Sequence, residues 1–181
     1  MHAMTVPRKL LRREQVRHHL CTATALATVQ RFTASSGEVS APIPIDKMAR
    51  WLGFQVVLLF SAGDEFSGLV SPRQKLIGIN GHHHRHRRRF SLAHEIAHIL
   101  MKHPPESHCT ASEIATYNAE ADLCASEILI PETLLSPLLA TTRNTIALSR
   151  VFDVSEEAML RRFGRVGRTV NIPIRPTPSA T

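Results

Sequence analysis

Three observations predict an α+β fold with a small antiparallel sheet for this 181-residue chain. Apolar residues recur at helical spacing before residue 53 and again after residue 88, and three short β-branched or aromatic runs crowd into residues 55–80 between them. Turn residues separate those runs closely enough for a meander. With 43% hydrophobic and 20% charged residues, the chain has the profile of one globular domain with a real core.

Residues 8–34 carry Leu10, Leu11, Val16, Leu20, Ala23, Ala27 and Phe32 at spacings compatible with one apolar helix face, and Ser35, Ser36 and Gly37 end that segment. Pro42 and Pro44 introduce a short helix in which Ile45, Met48, Ala49 and Leu52 share a face, and Gly53 suits its C-terminal cap. Strands are read at 55–60, 66–70 and 75–80, with turns at 62–64 and 71–73. A His/Arg-rich loop occupies 82–89; its leading role is that of a solvated segment before the next helix, with a second metal site or an electrostatic dock for an acidic partner or DNA as the alternatives. Helices follow at 90–102, 112–130, 132–140, 144–152 and 155–163, with Pro131 closing the second of these and Gly164 following the last. Residues 169–181, with three prolines after Ile172, read as a loosely packed tail.

The net charge of +7 invites a nucleic-acid reading until it is located. Residues 8–17, 85–89 and 161–175 are basic, whereas residues 106–157 hold nine acids against Arg143 and Arg150, a local net of −7. The charge is polarised along the chain, so the total does not identify a partner. Residues 145–152 and 155–163 have helix-turn-helix proportions, but Glu156 and Glu157 stand where a DNA-reading helix wants Arg, Lys, Asn or Gln. Direct DNA binding is disfavoured. The apolar runs fall far below the roughly 18–20 residues of a membrane span. The basic N-terminus lacks the apolar core of a secretory signal, and Cys21, Cys109 and Cys124 form no CxxC pair, so a cytoplasmic protein with reduced thiols is expected.

The sharpest feature is His94-Glu95-Ile96-Ala97-His98 inside a helical segment. With about 3.6 residues per turn, His94 and His98 project from one face and can reach a single metal ion, while Glu95 lies beside it. This HExxH pattern suits two imidazoles holding zinc and a glutamate serving as general base. Catalytic zinc takes three protein ligands. Glu120 and Glu127 share a face of the later helix, and either can supply the third; the small Ala121 beside Glu120 favours Glu120. His103 and His108 are read as surface residues with holding the transition state as their secondary role, and Tyr117 as a half-buried residue with oxyanion stabilisation as its secondary role.

The stretch Ile-Gly-Ile-Asn, the segment Arg-Arg-Arg-Phe-Ser-Leu-Ala-His-Glu-Ile-Ala-His, and Glu-Ala-Asp-Leu-Cys-Ala-Ser-Glu-Ile-Leu-Ile-Pro together resemble the ImmA/IrrE zinc metallo-endopeptidases. The likeness is specific over about residues 40–135 and looser over 140–166. It implies a zincin-type fold with an HExxH helix, a Glu-bearing helix and a helical C-terminal extension. It implies one zinc ion held by His94, His98 and Glu120, with manganese the alternative in the cell, and Glu95 as base. Arg88, immediately before Phe90's neighbour Arg89 in the basic run, is expected to be structural or to contact substrate. The implied substrate is a cytoplasmic helix-turn-helix repressor, cleaved to derepress stress-response or mobile-element genes. A non-catalytic zinc-stabilised regulator is the competing reading. The chain departs from the pattern at Ala97, where a glycine is usual, at Cys124, where Phe is common, and in its basic insert. The expected organisation is a metallopeptidase domain over 1–140, a helix-turn-helix-like extension over 141–168 and the tail over 169–181.

Overall fold

Two close-packed helices carry the fold, because small residues face each other along both. The computed structural model describes residues 8–37 and 40–169, so the tail predicted at the C-terminus lies largely outside the described residues. The first helix, α1 (Arg8–Ser36), buries Cys21, Ala25, Val29 and Phe32, a stripe repeating every three to four residues. Helix α2 (Ile45–Trp51) buries Ile45, Met48 and Ala49 and sets Trp51 edge-on against Phe32, with ring centroids 5.8 Å apart. Gly53 follows at φ +85°, a left-handed conformation that a side chain resists, and turns the chain into the sheet.

The strands are β1 (Gln55–Leu59), β2 (Gly68–Ser71) and β3 (Leu76–Asn80), in the spatial order β1-β3-β2. β3 pairs antiparallel with β2 but parallel with β1, so the sheet is mixed where a wholly antiparallel meander was expected. Burial explains the order. Ile77, Gly78, Ile79 and Asn80 are all buried, which suits a central strand, whereas β1 and β2 have no fully buried residue and expose Gln55, Leu58 and Leu69, as edges do.

Helix α3 (Arg85–Met101) begins inside the basic segment, capped by His84, whose ring accepts from the His86 N–H. A 3-10 turn at Glu106–His108 leads to α4 (Ala111–Leu129), started by a reciprocal capping box of Thr110 and Glu113. Leu92, Ala93, Ile96 and Ala97 of α3 and Ala121, Cys124, Ala125 and Ile128 of α4 are buried at 3% exposure or less, and α1 packs on α4 from the other side. Helices α5 (Glu132–Leu139), α6 (Thr145–Phe152) and α7 (Glu156–Thr169) complete the described chain. The predicted helices therefore form, within a mainly helical α+β fold.

Charged groups fasten the last two helices to the rest. Arg162 of α7, 2% exposed, places Nη2 2.6 Å from Glu127 Oε2 of α4 and donates through Nε to the Ile130 carbonyl at 3.1 Å. Asp153, in the α6–α7 turn, accepts from Arg85 at 2.6 Å and lies 3.2 Å from Arg89 Nε. The basic segment is thus mostly structural. Arg89 also donates to the carbonyls of Ile43 and Asp153, Arg87 to Ser67 Oγ, and the rings of His82 and His83 meet the carbonyls of Phe60 and Asp64. Residues 85–89, expected in a loop, form the first turns of α3.

Candidate metal centre

The α3 spacing places His94 and His98 one turn apart, and their Nε2 atoms converge to 3.0 Å. The outer nitrogens fix the tautomers. His94 Nδ1–H donates to Asp122 Oδ1 at 2.8 Å. His103 Nε2–H donates to Glu120 Oε2 at 3.0 Å, which leaves His103 Nδ1 to accept from His98 Nδ1–H at 2.9 Å. Both inner Nε2 atoms then present lone pairs to the same point. Two such acceptors at this separation repel unless a proton or cation lies between them. Nitrogens bound to one tetrahedral zinc at about 2.0–2.1 Å stand about 3.3 Å apart, so the pair needs only a small opening to hold that ion.

Electrostatics agree with neutral inner rings at His98 and His103. Burial, reinforced by neighbouring His94 and His103, pushes His98 down to about 4. Burial also lowers His103, against the opposing pull of Glu120. At His94 burial acts downward, but the hydrogen bond and charge of Asp122 outweigh it and leave the ring above its ordinary value.

Glu95 follows His94 round the helix and is 9% exposed. Burial pushes its carboxyl up to about 7, with His94 partly opposing the shift. Strand β2 comes close enough here that a Cβ built on Gly68 would stand 3.1 Å from Glu95 Oε1. The absence of a side chain at residue 68 is therefore what lets Glu95 keep its place.

The remaining predicted residues are placed differently from one another. Glu120 does not join the imidazole pair: besides His103, its Oε1 lies 2.8 Å from Arg17 Nη1 of α1, an ion-pair distance without hydrogen-bond alignment. The cause is helical geometry, since residues two apart on α4 point about 200° from each other, and Asp122 already faces His94. Asn118, one turn before Asp122, shares with it the face of α4 turned towards His94. Glu127 lies away from the centre in its pair with Arg162. Tyr117 stacks its ring on His103, centroids 4.6 Å apart. Arg88 is half-buried on α3, with its N–H bonded to the His84 carbonyl. His103, read from the sequence as a surface residue, has a side chain only 4% exposed. Asn118, Asp122 and His103 were missed as site residues, although the four-residue interval from 118 to 122 was a readable signal for a shared face. Among the described residues, no group of three or more His, Cys, Asp or Glu converges as a ready cation site.

Beside Asp122, a cavity of about 400 Å³ opens between α3, α4 and α7, with Phe90, Leu129 and Val154 on its apolar side and Arg87 and Arg161 among its polar groups. It gives an extended side chain somewhere to lie beside Asp122, the partner of His94.

The family model Peptidase_M78, IrrE N-terminal-like domain, matches residues 55–163, more than half of the chain. Among solved structures, a Mycobacterium tuberculosis transcriptional regulator superposes with a TM-score of 0.63 at 18% identity, over 78% of this chain and 46% of that one. The chain thus spans under half the length of that protein, and the likeness is one of fold. No curated protein matches the chain.

Proposed function

The chain belongs to the IrrE N-terminal-like Peptidase_M78 family, a family of metallopeptidases and regulators, and we propose that it is a zinc-dependent endopeptidase acting on a protein substrate. The observation that carries this reading is the convergence of the His94 and His98 Nε2 atoms at 3.0 Å beside a buried glutamate. The donor set fits zinc at these two positions. His94 and His98 would hold the ion, and the outer bonds to Asp122 and His103 orient both rings for it. When bound, zinc supplies a Lewis acid that acidifies water and polarises a peptide carbonyl.

Glu95 takes the proton of the attacking water and delivers it to the departing amine. A buried carboxyl near neutrality is matched to that exchange, since it both gains and releases a proton at cellular pH. The neighbouring cavity seats substrate side chains, with apolar Phe90, Leu129 and Val154 beside charged groups of both signs, Arg87 and Arg161 against Asp122 and Glu157. The substrate we assign is a helix-turn-helix repressor in the cytoplasm, clipped to relieve repression. In support, among the described residues no helix is long and apolar enough to cross a membrane, and acids open α7 where a DNA-reading helix would place basic groups.

The test is co-incubation of the zinc-loaded protein with purified helix-turn-helix repressors from the same organism. Cleavage is expected for the wild type and is abolished in Glu95→Gln, which keeps its fold and zinc content. A Glu95→Gln protein that still cuts would refute the mechanism. The second reading, a zinc-stabilised regulator that binds without cutting, draws on Glu120 being held away from the imidazoles. Zinc-loaded wild type that binds the repressor yet leaves it intact decides for that alternative.

A further inference from the structure

We propose that the third protein position at this metal centre belongs to Asn118, and that Glu120 stays outside it as the anchor of His103. The inference rests on the metal centre proposed above and concerns which side chains complete it.

Three observations carry it. First, Asp122 fixes the face of α4 that meets the imidazoles, because its Oδ1 holds His94 Nδ1 at 2.8 Å. The residue one turn earlier on that face is Asn118, about 40° away around the helix, whereas Glu120 points about 200° away. Second, the Nδ1 atoms of both rings are already engaged by Asp122 and His103, so the inner Nε2 atoms are what a side chain on this face of α4 has left to meet. Third, Glu120 is occupied. Its two oxygens lie 3.0 Å from His103 Nε2 and 2.8 Å from Arg17 Nη1, and its side chain is 12% exposed. To become a ligand it would have to abandon both partners and cross to the other side of its helix.

The chemical consequence is a neutral donor set. Asn118 offers its carbonyl Oδ1, and the two imidazoles are neutral, so no ligand charge offsets the ion's +2. Such a centre holds its cation less tightly than one with a carboxylate, and it acidifies water more strongly when the cation is there. Glu120 serves indirectly: it orients His103, which orients His98.

Zinc affinity of the metal-stripped full chain, measured by competition with a chromogenic chelator, tests this without reference to activity. The visible spectrum of the cobalt-loaded protein reports the donor set independently. His94→Ala gives the background from the histidines at 82–86. Asn118→Glu is expected to tighten zinc at least about tenfold and to change the cobalt spectrum, since it adds a charged donor at the vacant-charge position. Asn118→Ala should loosen zinc about tenfold, and Glu120→Gln, which keeps a hydrogen bond to His103, should stay within about threefold with the cobalt spectrum unchanged. A loss in Glu120→Gln equal to or larger than that in Asn118→Ala overturns the proposal, as does an Asn118→Glu protein with wild-type affinity and spectrum. If instead His94→Ala binds zinc as the wild type does, the metal centre itself fails. Circular dichroism of each variant separates ligand loss from unfolding.

Discussion

Replacing Arg162 by Ala removes the countercharge of a carboxylate that is itself 6% exposed. In the intact protein burial raises Glu127, against the pull of Arg162, and lowers Arg162, against the pull of Glu127, so desolvation costs both partners and their 2.6 Å contact offsets it. Removing one partner leaves the other buried and uncompensated, which costs about 3–5 kcal/mol. Loss of the Nε bond to the Ile130 carbonyl adds about 1 kcal/mol. At roughly 2–4 °C per kcal/mol for a chain of this size, the melting temperature should fall by on the order of 10 °C. Urea unfolding followed by circular dichroism in the presence of chelator isolates the effect from metal binding. The pH dependence has a defined sign. A carboxyl whose folded pKa is raised binds more protons folded than unfolded, so stability falls as pH rises above its ordinary value of 4.5. Without Arg162 the raised pKa climbs further, so the deficit of Arg162→Ala should be largest above neutrality and shrink towards pH 5. The double variant Glu127→Leu with Arg162→Met should recover most of the loss. A deficit below about 1 kcal/mol, or one that persists undiminished in the double variant, would refute the claim that this pair clamps α7 to α4.

Gly68→Ala should lower cleavage by about tenfold or more while leaving the fold intact, because the new Cβ would stand 3.0 Å from Ile79 Cδ1 and 3.1 Å from Glu95 Oε1 and shift the base; steady-state cleavage and circular dichroism together check it. In chelator, Glu95→Gln should be more stable than the wild type above pH 7 and converge with it below pH 4.5. The wild-type carboxyl, at about 7 when folded, binds extra protons in that interval and loses stability as pH rises through it, and urea titrations at several pH values measure the difference.

The helices were legible because each carries its own punctuation, as Pro131 and Gly53 illustrate, and the HExxH pair was legible because two residues one turn apart on one helix need no tertiary information. The sheet was only partly so. The turn at 71–73 correctly implies the β2–β3 hairpin, but the turn at 62–64 does not join neighbours, since consecutive strands need not pair. The consecutive burial of Ile77, Gly78 and Ile79 was the better guide to the centre of the sheet. On α4 a helical wheel groups Glu120, Cys124 and Glu127 without saying what each side of the helix meets. Cys124 turns out fully buried in the core, its thiol raised to about 12 by that burial, and Glu127 meets α7. Which face meets the imidazoles is a tertiary fact, set by α1 and α3 packing against α4 from different sides. The basic run at 82–89 misled for a related reason: its composition suggests solvent, yet Asp153 and several carbonyls, distant in sequence, gather its side chains.

Arg17 sets the size of the smallest useful fragment. The family-matched region begins at residue 55, yet the chain of contacts that steadies His98 runs through His103 and Glu120 to a guanidinium on α1. A fragment cut at the family boundary would retain every residue of the HExxH helix and still release Glu120 from its far tether, along with the α1 face that covers α4. Grafting this centre onto another scaffold, or exchanging its N-terminal helix for a relative's, therefore means carrying a cation at the Arg17 position as part of the proposed metal site.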